Sequence, residues 1–237
     1  MHLQVVLAIP TLNEAESIGA LLATVPRSVV DQIIVADGGS SDATCDIASR
    51  AGAQVIQAGR GYGRACLAAA TLAPTNALMV FMDGDGADDP AEIAKLAAPI
   101  VNGTHDFVIG SRVIGSREKA SMGLHQIAAG WCMGLAMRLL YRTRYTDMCA
   151  FRAIARDTLL GLGMCEMTYG WNLEMQMRAA KKGLRILEVP VANRRRIGGA
   201  SKVAGSLRGT VRAGTRIVAT FVRVASERSS TSQEVKS

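Results

Sequence analysis

The sequence predicts a doubly wound α/β fold. In the first hundred residues, short apolar runs rich in branched side chains alternate with segments of helical pattern. This order is typical of a sheet that is covered by helices on both faces. Glycines and polar residues follow the ends of the apolar runs, which is where such sheets bind ligands. The length of 237 residues suits one domain of this kind with a modest extension.

Strands and helices are predicted to alternate along the chain. Asn13 is a plausible N-cap for the first helix, which runs to about Thr24, and Ser41 with Asp42 caps a second helix that runs to Arg50. The predicted strands are Leu3–Ile9, Gln32–Ala36, Gln54–Gln57, Ala77–Met82, Asp106–Gly110 and Arg185–Pro190. The other predicted helices are Gly63–Leu72, Met122–Tyr141, Trp171–Lys182 and Val203–Ala225.

The C-terminal part of the chain predicts a separate helix and a tail. In residues 203–225, arginines recur every four residues from Arg208 to Arg216 and apolar residues lie on another side, so we expect an amphipathic helix. Such a helix suits a membrane interface, and contact with a partner helix or a second copy is a comparable alternative. Residues 226–237 are polar and expected to be disordered. The main domain is therefore predicted to cover residues 1–202.

The charge of the chain is distributed unevenly. The net charge is +7, but residues 1–100 carry 5 basic and 11 acidic side chains, whereas residues 176–225 carry 12 basic side chains and one acidic one. We expect an acidic half that binds cations and a basic half that faces phosphates or an anionic membrane; a merely soluble basic surface is the alternative. Aromatic residues make up 4% of the chain, which argues against a single-stranded nucleic-acid binder.

Cysteine usage and hydropathy predict a cytoplasmic protein. The five cysteines are odd in number and form no C-x-x-C pair, which fits a reducing compartment and gives no zinc signature. The apolar run Val5–Pro10 is too short for a signal peptide. The best membrane-span candidate, Ile127–Met137, has eleven residues and is too short to cross a bilayer. We expect at most a peripheral association with the inner face of a membrane.

Asp83-Gly84-Asp85 carries the strongest chemical signal. The two carboxylates directly follow the apolar run Leu78–Met82, so they can present hard oxygen ligands to a divalent cation. A Mg²⁺ or Mn²⁺ ion there could bridge a diphosphate and stabilise its charge as it leaves. A solvated acidic turn is the alternative, but the position after a buried strand favours the cation site.

Carboxylates also follow the first two predicted strands. Glu14 comes just after the first strand and Asp37 ends the second, where each could accept hydrogen bonds from a nucleotide base or a ribose hydroxyl. Helix capping is the alternative for Asp37, and it is the better interpretation of Asn13 and Asp42.

A glycine-rich loop, Gly59–Gly63, follows the third predicted strand. A nicotinamide-binding Rossmann protein would carry its glycines after the first strand, where this chain has Pro10–Glu14. We therefore reject the dehydrogenase interpretation and expect the loop to bring Arg60 to a nucleotide. The segment Pro10–Glu14 also lacks the Gly-rich, basic character expected of a nucleotidyltransferase.

As a set, these motifs resemble the donor domain of inverting GT-A glycosyltransferases of family 2, most closely the dolichol-phosphate mannosyltransferase group. The resemblance covers residues 4–205 in order and implies a doubly wound mixed sheet that binds a nucleotide sugar with Mg²⁺ or Mn²⁺. The matching stretches are Ile9–Glu14, Ala36–Thr44, Gly59–Gly63, Met82–Asp85, Gly110–Arg112, Asp147–Ala153 and Arg196–Lys202.

The resemblance implies roles for acidic residues and Pro10. Pro10, Glu14 and Asp37 would line the base and the ribose. Asp83 and Asp85 would serve the ribose and the metal-bound diphosphate, with Asp85 as the direct metal ligand.

It also implies roles on the phosphate and acceptor side. Arg196 and Lys202 would close over the donor phosphates, Arg112 would hold the phosphate of the acceptor, and Asp147 matches the acceptor-side aspartate. One departure is Ala87, which stands where many polyprenyl-phosphate members have a glutamine that binds the metal. Water, Asp88 or Asp89 are the candidate substitutes.

The nature of the acceptor determines the chemistry required. A polyprenyl phosphate is ionised near pH 7, so its attack needs positioning and charge stabilisation rather than a strong base. A hydroxyl acceptor on a small metabolite or glycan would need a base, for which Asp147 is the candidate; an ion pair of Asp147 with Arg152 or Arg144 is the structural alternative. We expect the phosphate acceptor. A non-catalytic sugar-nucleotide binder is the alternative of another class, and homo-oligomerisation is left open.

Overall fold

The computed structural model describes residues 3–115, 134–197 and 207–227, the last segment without the side chains of 207–212. The strands are β1 (Gln4–Thr11), β2 (Gln32–Asp37), β3 (Gln54–Gln57), β4 (Ala77–Phe81), β5 (Phe107–Ser111), β6 (Arg152–Ala155) and β7 (Ile186–Pro190). The helices are α1 (Ile18–Thr24), α2 (Thr44–Arg50), α3 (Tyr62–Leu72), α4 (Ile93–Val101, preceded by a 3₁₀ turn, Pro90–Glu92), α5 (residues 134–141), α6 (Arg156–Gly161), α7 (Trp171–Lys181) and α8 (Leu207–Ser226).

The strands form one mixed sheet in the order β3-β2-β1-β4-β6-β5-β7. β1 pairs in parallel with β2 and β4, and β5 pairs in parallel with β7. All residues of β4 and β5 are buried, as expected for strands covered on both faces. The doubly wound mixed sheet predicted from the sequence is confirmed. The chain places β2 on one side of β1 in the sheet and later places β4 on the other side of β1. The topological switch point therefore lies at the carboxyl ends of β1 and β4.

The sequence did not predict β6, which runs antiparallel between β4 and β5. This strand has only four residues and begins with Arg152, a residue that a hydropathy pattern assigns to the surface. The side chain of Arg152 is fully buried. Its Nε donates to the carbonyl oxygen of Cys149 and its Nη1 to that of Asn172, both at 3.0 Å, and the guanidinium lies 5.8 Å from the centre of the Phe107 ring. These contacts replace the water that a buried guanidinium loses.

The start of α1 differs from the prediction. The helix begins at Ile18 after Ser17, so Asn13 is not its N-cap. Asn13 instead adopts a left-handed conformation with φ 53°, and its side-chain oxygen accepts a hydrogen bond from the Ser41 N–H at 2.8 Å. Asn13 thereby joins the loop after β1 to the loop after β2, which is a contact between distant segments that a local capping pattern does not reveal. The N-cap of α2 is Ala43, so the prediction that Ser41 and Asp42 cap this helix is wrong by one residue. Asp42, one position earlier, still accepts a hydrogen bond from the Thr44 N–H at 3.0 Å.

An ion-pair network joins α7 to α8. The carboxylate of Glu174, on α7, is fully buried and contacts Arg178 Nε and Arg223 Nη2, each at 2.9 Å. Arg178 also pairs with Glu227 at 2.9 Å, and Lys181 donates to the Glu227 carbonyl oxygen at 2.7 Å. Glu227, which the sequence places in the tail, is thus attached to α7; residues 228–237 lie outside the described chain.

The described part of α8 has a buried side and an exposed side. Thr220 and Val224 are buried, Phe221 is half-buried, and Val218 and Val222 are each 60% exposed. Among the described helices, none is both long enough and apolar enough to cross a bilayer.

We predict that Glu174→Gln destabilises the protein at pH 7 by about 3 kcal/mol, because two arginines lose a buried charge partner. Burial raises the pKa of Glu174, but hydrogen bonds from the Glu166 N–H, Arg178, the Cys165 N–H and Arg223 outweigh this effect, so the pKa lies below its ordinary value. A carboxylate with a lowered pKa stabilises the fold above its unfolded-state pKa, and this contribution is lost as the pH falls through the folded-state pKa.

The difference between Glu174→Gln and the wild type should therefore shrink as the pH falls below about 4.5. Urea unfolding followed by circular dichroism between pH 3 and pH 8 measures it. The exposed variant Asp157→Asn controls for removal of a carboxylate. A difference that stays constant over this range would contradict the role of the charge.

Candidate active site

A cleft of about 380 Å³ opens at the carboxyl ends of β1, β2 and β4, where the topology places a ligand site. We call it the central cleft. Its wall combines residues of the strand ends with residues from the loop before α7 and from α8. The lining residues are Pro10, Thr11, Leu12, Glu14, Gly38, Arg60, Gly61, Tyr62, Ala65, Asp83, Gly84, Asp85, Thr168, Tyr169, Arg196 and Arg216.

Asp83 and Asp85 lie together in the wall of the central cleft. Burial and the neighbouring carboxylate of Asp85 raise the pKa of Asp83 to about 6. Asp85 is 4% exposed; its Oδ1 accepts the Ala87 N–H at 2.9 Å and its Oδ2 pairs with Arg196 Nη2 at 3.0 Å. Two close carboxylates with little water around them favour a bound counter-charge, and the guanidinium of Arg196 supplies one to Asp85.

A short arm, residues 193–197, holds Arg196 in this position. The Arg194 N–H donates to the Ala87 carbonyl oxygen at 2.9 Å, and the Ile197 N–H donates to the Asp85 carbonyl oxygen at 3.1 Å. The Ile197 side chain rests on Gly86, which has φ 75° and where an added Cβ would lie 2.5 Å from Ile197 Cδ1. The arm therefore runs beside the turn that carries the two aspartates, and Gly86 leaves space for it.

Asp88 and Asp89, the two aspartates that could replace the metal ligand missing at Ala87, have different surroundings. Asp88 is buried beside Asp83, and burial together with that neighbouring charge raises the pKa of Asp88 to about 8. Asp89 instead accepts the Ala91 N–H at 3.1 Å and pairs with Arg194. Within the described residues, no three His, Cys, Asp or Glu side chains form a group that could hold a metal alone. Oxygens of water or of a ligand could complete the coordination of a cation at Asp83 and Asp85.

Asp37 is fully buried at the end of β2, outside the lining of the central cleft. Its Oδ2 accepts the N–H groups of Gly39 and Ser40 at 2.8 Å, and its Oδ1 accepts the hydroxyls of Thr11 at 3.2 Å and Ser40 at 2.5 Å. Burial raises the pKa of Asp37, but the hydrogen bonds from Ser40, Gly39 and Thr11 outweigh it, so the pKa is lowered. In this arrangement Asp37 shapes the loop that presents Gly38 to the cleft.

Glu14 lines the cleft from the loop after β1. The loop is tied to two neighbours: the Glu14 N–H donates to Thr44 Oγ1 at 2.8 Å, and the Ser17 hydroxyl donates to the Gly84 carbonyl oxygen at 2.8 Å. Gly84 permits this approach, since an added Cβ would lie 3.1 Å from Thr11 Cγ2. The acidic turn and the loop after β1 thus form one continuous wall.

The glycine-rich turn at residues 59–63 brings Arg60 to the cleft. Residues 166–170, which we call the strap, pack against this turn. The Arg64 N–H donates to the Met167 carbonyl oxygen of the strap at 3.1 Å. An added Cβ at Gly61, which has φ 134°, would lie 2.5 Å from that oxygen. An added Cβ at Gly63 would lie 2.8 Å from Trp171 Cε3 and also meet the Glu166 carbonyl oxygen. These glycines are needed for close packing against the strap.

Arg112 and Asp147 form a bidentate ion pair next to the cleft. Arg112 Nε and Nη2 each lie 2.8 Å from an oxygen of Asp147, and the Arg112 N–H lies 3.0 Å from Asp147 Oδ2. An ion pair was the structural alternative for Asp147; the structure shows one, but with Arg112 instead of Arg152 or Arg144. Among the described residues, neither Arg112 nor Asp147 belongs to the cleft lining.

The structure thus collects six of the predicted site residues in one cleft. These are Pro10, Glu14, Arg60, Asp83, Asp85 and Arg196. Asp37, Arg112 and Asp147 lie around it. Lys202 lies outside the described residues, as does most of the predicted helix at 122–141.

Comparison with known proteins identifies the family. The family described as glycosyl transferase family 2 matches residues 6–160, about two thirds of the chain. The chain belongs to glycosyl transferase family 2. The resemblance inferred from the motifs is confirmed, and the protein is a glycosyltransferase.

Relatives of this glycosyltransferase cover most of its length. An uncharacterized glycosyltransferase of Mycobacterium tuberculosis is 37% identical over 212 residues, which are 87% of this chain and 93% of the relative. An undecaprenyl-phosphate mannosyltransferase of Micrococcus luteus is 31% identical over 224 residues, covering 87% of this chain and 90% of the relative.

A solved structure supports the fold. The glucosyl-3-phosphoglycerate synthase of Mycobacterium tuberculosis, crystallised with Mn²⁺, UDP and glucosyl-3-phosphoglycerate, matches with a TM-score of 0.75. The match covers 96% of this chain and 81% of that chain at 18% identity. The glycosyltransferase therefore has the GT-A fold that the motifs implied.

Three polar residues of the cleft lining were not identified from the sequence of the glycosyltransferase. Thr168 and Tyr169 belong to the strap and carry no motif. Arg216 was noted only as part of the arginine series of α8, which was interpreted as a surface pattern. These residues reach the cleft through packing between distant segments, for which a single sequence contains no local signal.

We predict that Gly63→Ala destabilises the glycosyltransferase by about 1–3 kcal/mol, because the added methyl group has no space between the strap and Trp171. Gly214→Ala is the matched control: its added Cβ meets nothing within 4 Å, and alanine favours the helix by up to about 1 kcal/mol. Urea unfolding should show changes of opposite sign. Equal stability of Gly63→Ala and the wild type would refute close packing at this point.

Proposed function

We propose that the protein is an inverting glycosyltransferase that moves a sugar from a UDP- or GDP-linked donor to a polyprenyl phosphate. The proposal is carried by one observation: Asp83 and Asp85 line the same cleft as Arg60 and Arg196, at the switch point of the sheet. A nucleoside diphosphate with a divalent cation needs both signs of charge in one site. The relationship to an undecaprenyl-phosphate mannosyltransferase supports the acceptor.

The donor nucleotide is proposed to lie along the wall formed by Pro10, Glu14 and Gly38, because this part of the cleft combines apolar surface with hydrogen-bonding groups. Asp37 contributes through the loop that it holds in place. Arg60, Arg196 and Lys202 are proposed to neutralise the diphosphate.

Asp83 and Asp85 are proposed to hold Mg²⁺ or Mn²⁺, with Asp85 as the direct ligand. The residues fit such an ion because they are close carboxylates that disfavour ionisation without a counter-charge. The ion would stabilise the diphosphate as a leaving group. Because the ion would supply the counter-charge that Arg196 gives to Asp85, the Arg196 guanidinium would be able to contact a phosphate instead.

The acceptor is proposed to approach from the side of Arg112. Both oxygens of Asp147 are engaged by Arg112, so neither is directed towards an acceptor hydroxyl as a general base would be. A phosphate acceptor needs no such base. The same ion pair fixes the Arg112 guanidinium, which can offer its remaining N–H groups to the acceptor phosphate. Direct attack on the anomeric carbon then inverts its configuration.

A peripheral position on the inner face of a membrane is proposed to bring the enzyme to its acceptor. The exposed side of α8 carries Val218 and Val222, each 60% exposed, and α5 carries Leu139, which is 75% exposed. Apolar side chains on the outside of a basic segment suit the boundary of an anionic bilayer.

We predict that Asp85→Asn weakens Mn²⁺-dependent binding of the nucleotide by about tenfold or more, because a charged ligand is lost. Thermal shift with UDP-glucose, UDP-galactose and GDP-mannose, each with and without Mn²⁺, identifies the donor, and calorimetry with the corresponding nucleoside diphosphate gives the affinity. Asp46→Asn, an exposed carboxylate of α2, is the control. Cation-independent binding that is unchanged in Asp85→Asn would refute the metal assignment.

We predict that labelled sugar becomes extractable into organic solvent with undecaprenyl phosphate and stays in the aqueous phase with undecaprenol, because only the phosphate is an ionised nucleophile. Arg112→Ala should lower this transfer by about 100-fold, with partial recovery in Arg112→Lys. Transfer to the alcohol or to water-soluble acceptors would favour the hydroxyl alternative, and nucleotide binding without any transfer would favour a non-catalytic binder.

The lipid-extraction assay also tests whether α8 contacts the membrane. The double variant Val218→Glu, Val222→Glu should slow transfer to acceptor held in anionic vesicles and leave transfer to detergent-dispersed acceptor unchanged. Equal rates in vesicles would contradict contact through α8.

A further inference from the structure

We propose that Arg216 of α8 binds a phosphate of the donor nucleotide, which makes α8 a part of the active site rather than an appended helix. This inference rests on the proposed function. Arg216 lines the central cleft together with Arg60 and Arg196, the two described arginines that are proposed to neutralise the diphosphate. Arg112 and Asp147, which are proposed to serve the acceptor, are not among the residues of this lining.

The strap attaches α8 to the cleft one helical turn beyond Arg216. The Thr220 hydroxyl donates to Glu166 Oε2 at 3.2 Å and to the Arg216 carbonyl oxygen at 2.8 Å. Gly170 has no side chain at this contact, where an added Cβ would meet the Thr220 hydroxyl. Because residues four positions apart lie on the same face of a helix, Thr220 orients the face of α8 that carries Arg216 towards the cleft.

The strap also forms part of the cleft wall. Thr168 and Tyr169 line the cleft, and the Thr168 N–H donates to Glu166 Oε1 at 2.9 Å. Glu166 therefore binds the strap with one oxygen and α8 with the other. Farther along, the network of Glu174 with Arg178 and Arg223 holds the end of α8. These contacts on the C-terminal side of Arg216 contribute to fixing its position.

The charge balance of the cleft favours a phosphate as the partner of Arg216. Among the described residues, the lining contains three carboxylates, on Glu14, Asp83 and Asp85, and three guanidinium groups, on Arg60, Arg196 and Arg216. A divalent cation on the two aspartates would leave the arginines in excess, and a diphosphate would restore neutrality. The planar guanidinium also matches the spacing of phosphate oxygens.

Binding of nucleotides in the presence of Mn²⁺ tests the inference. Calorimetry compares UDP with uridine and GDP with guanosine for the wild type and Arg216→Ala. We expect the variant to bind the diphosphate about tenfold more weakly and the nucleoside within about twofold of the wild type. Arg216→Lys should recover part of the loss. Arg50→Ala, which removes an exposed arginine of α2, is the control for net charge.

Two results would overturn the inference. The first is an affinity of Arg216→Ala for the diphosphate that equals that of the wild type. The second is a loss of affinity for the nucleoside as large as that for the diphosphate, which would assign Arg216 to the base or the ribose. If the wild type binds neither UDP nor GDP, the proposed donor and this inference both fail. If it binds one of them and Arg216→Ala binds it equally well, only this inference fails.

Thr220→Val tests the positioning of Arg216. The substitution keeps the shape of the buried side chain and removes its bond to Glu166. We expect a weaker affinity for the diphosphate in the wild-type background and no additional loss in the Arg216→Ala background, because the effect passes through Arg216. A loss of the same size in both backgrounds would show that α8 does not act through this arginine.

Discussion

The constraint on which the site depends is the electrostatic cost of placing Asp83 and Asp85 side by side at the end of a buried strand. Water reaches them only partly, so their negative charge must be balanced by the protein or by a ligand. The described chain balances it with Arg196, which is held against Asp85 by backbone hydrogen bonds between residues 193–197 and the acidic turn. The ion pair is partly exposed, which keeps it exchangeable. The basic C-terminal half seen in the sequence thus supplies the counter-charge for the acidic N-terminal half.

The wall of the cleft is assembled from distant segments that are joined in pairs. The loop after β1 is bonded to the acidic turn through Ser17 and Gly84. The glycine-rich turn is bonded to the strap, and the acidic turn to the arm at residues 193–197. Each junction includes a main-chain carbonyl group, and glycines allow the closest approaches. This arrangement fixes the positions of side chains that belong to different parts of the chain, which is the pre-organisation that an enzyme needs for charge stabilisation.

Local sequence signals predicted the parallel strands and the residues that follow them, because a strand buried on both faces requires an apolar run and the ligand site lies at its end. They did not predict β6, whose four residues include a buried arginine stabilised by carbonyl groups of other segments. They also did not distinguish a carboxylate that faces the cleft from one that is saturated by its own loop, as Asp37 is. The pairing of Asp147 with Arg112 and the approach of Arg216 to the cleft arise from tertiary packing alone.

Helix α8 carries Arg216 on the side that faces the cleft and Val218 and Val222 on the side that faces outward. Because a helix moves as a rigid body, two ligands that bind on opposite sides of α8 and favour the same position of it would be thermodynamically linked. A surface that binds α8 more tightly in the position favoured by the nucleotide would raise the affinity of the protein for the nucleotide. The nucleotide would raise the affinity of the protein for that surface by the same factor. Under the proposed function, such an enzyme would retain the nucleotide sugar most firmly at the membrane that holds the proposed lipid acceptor.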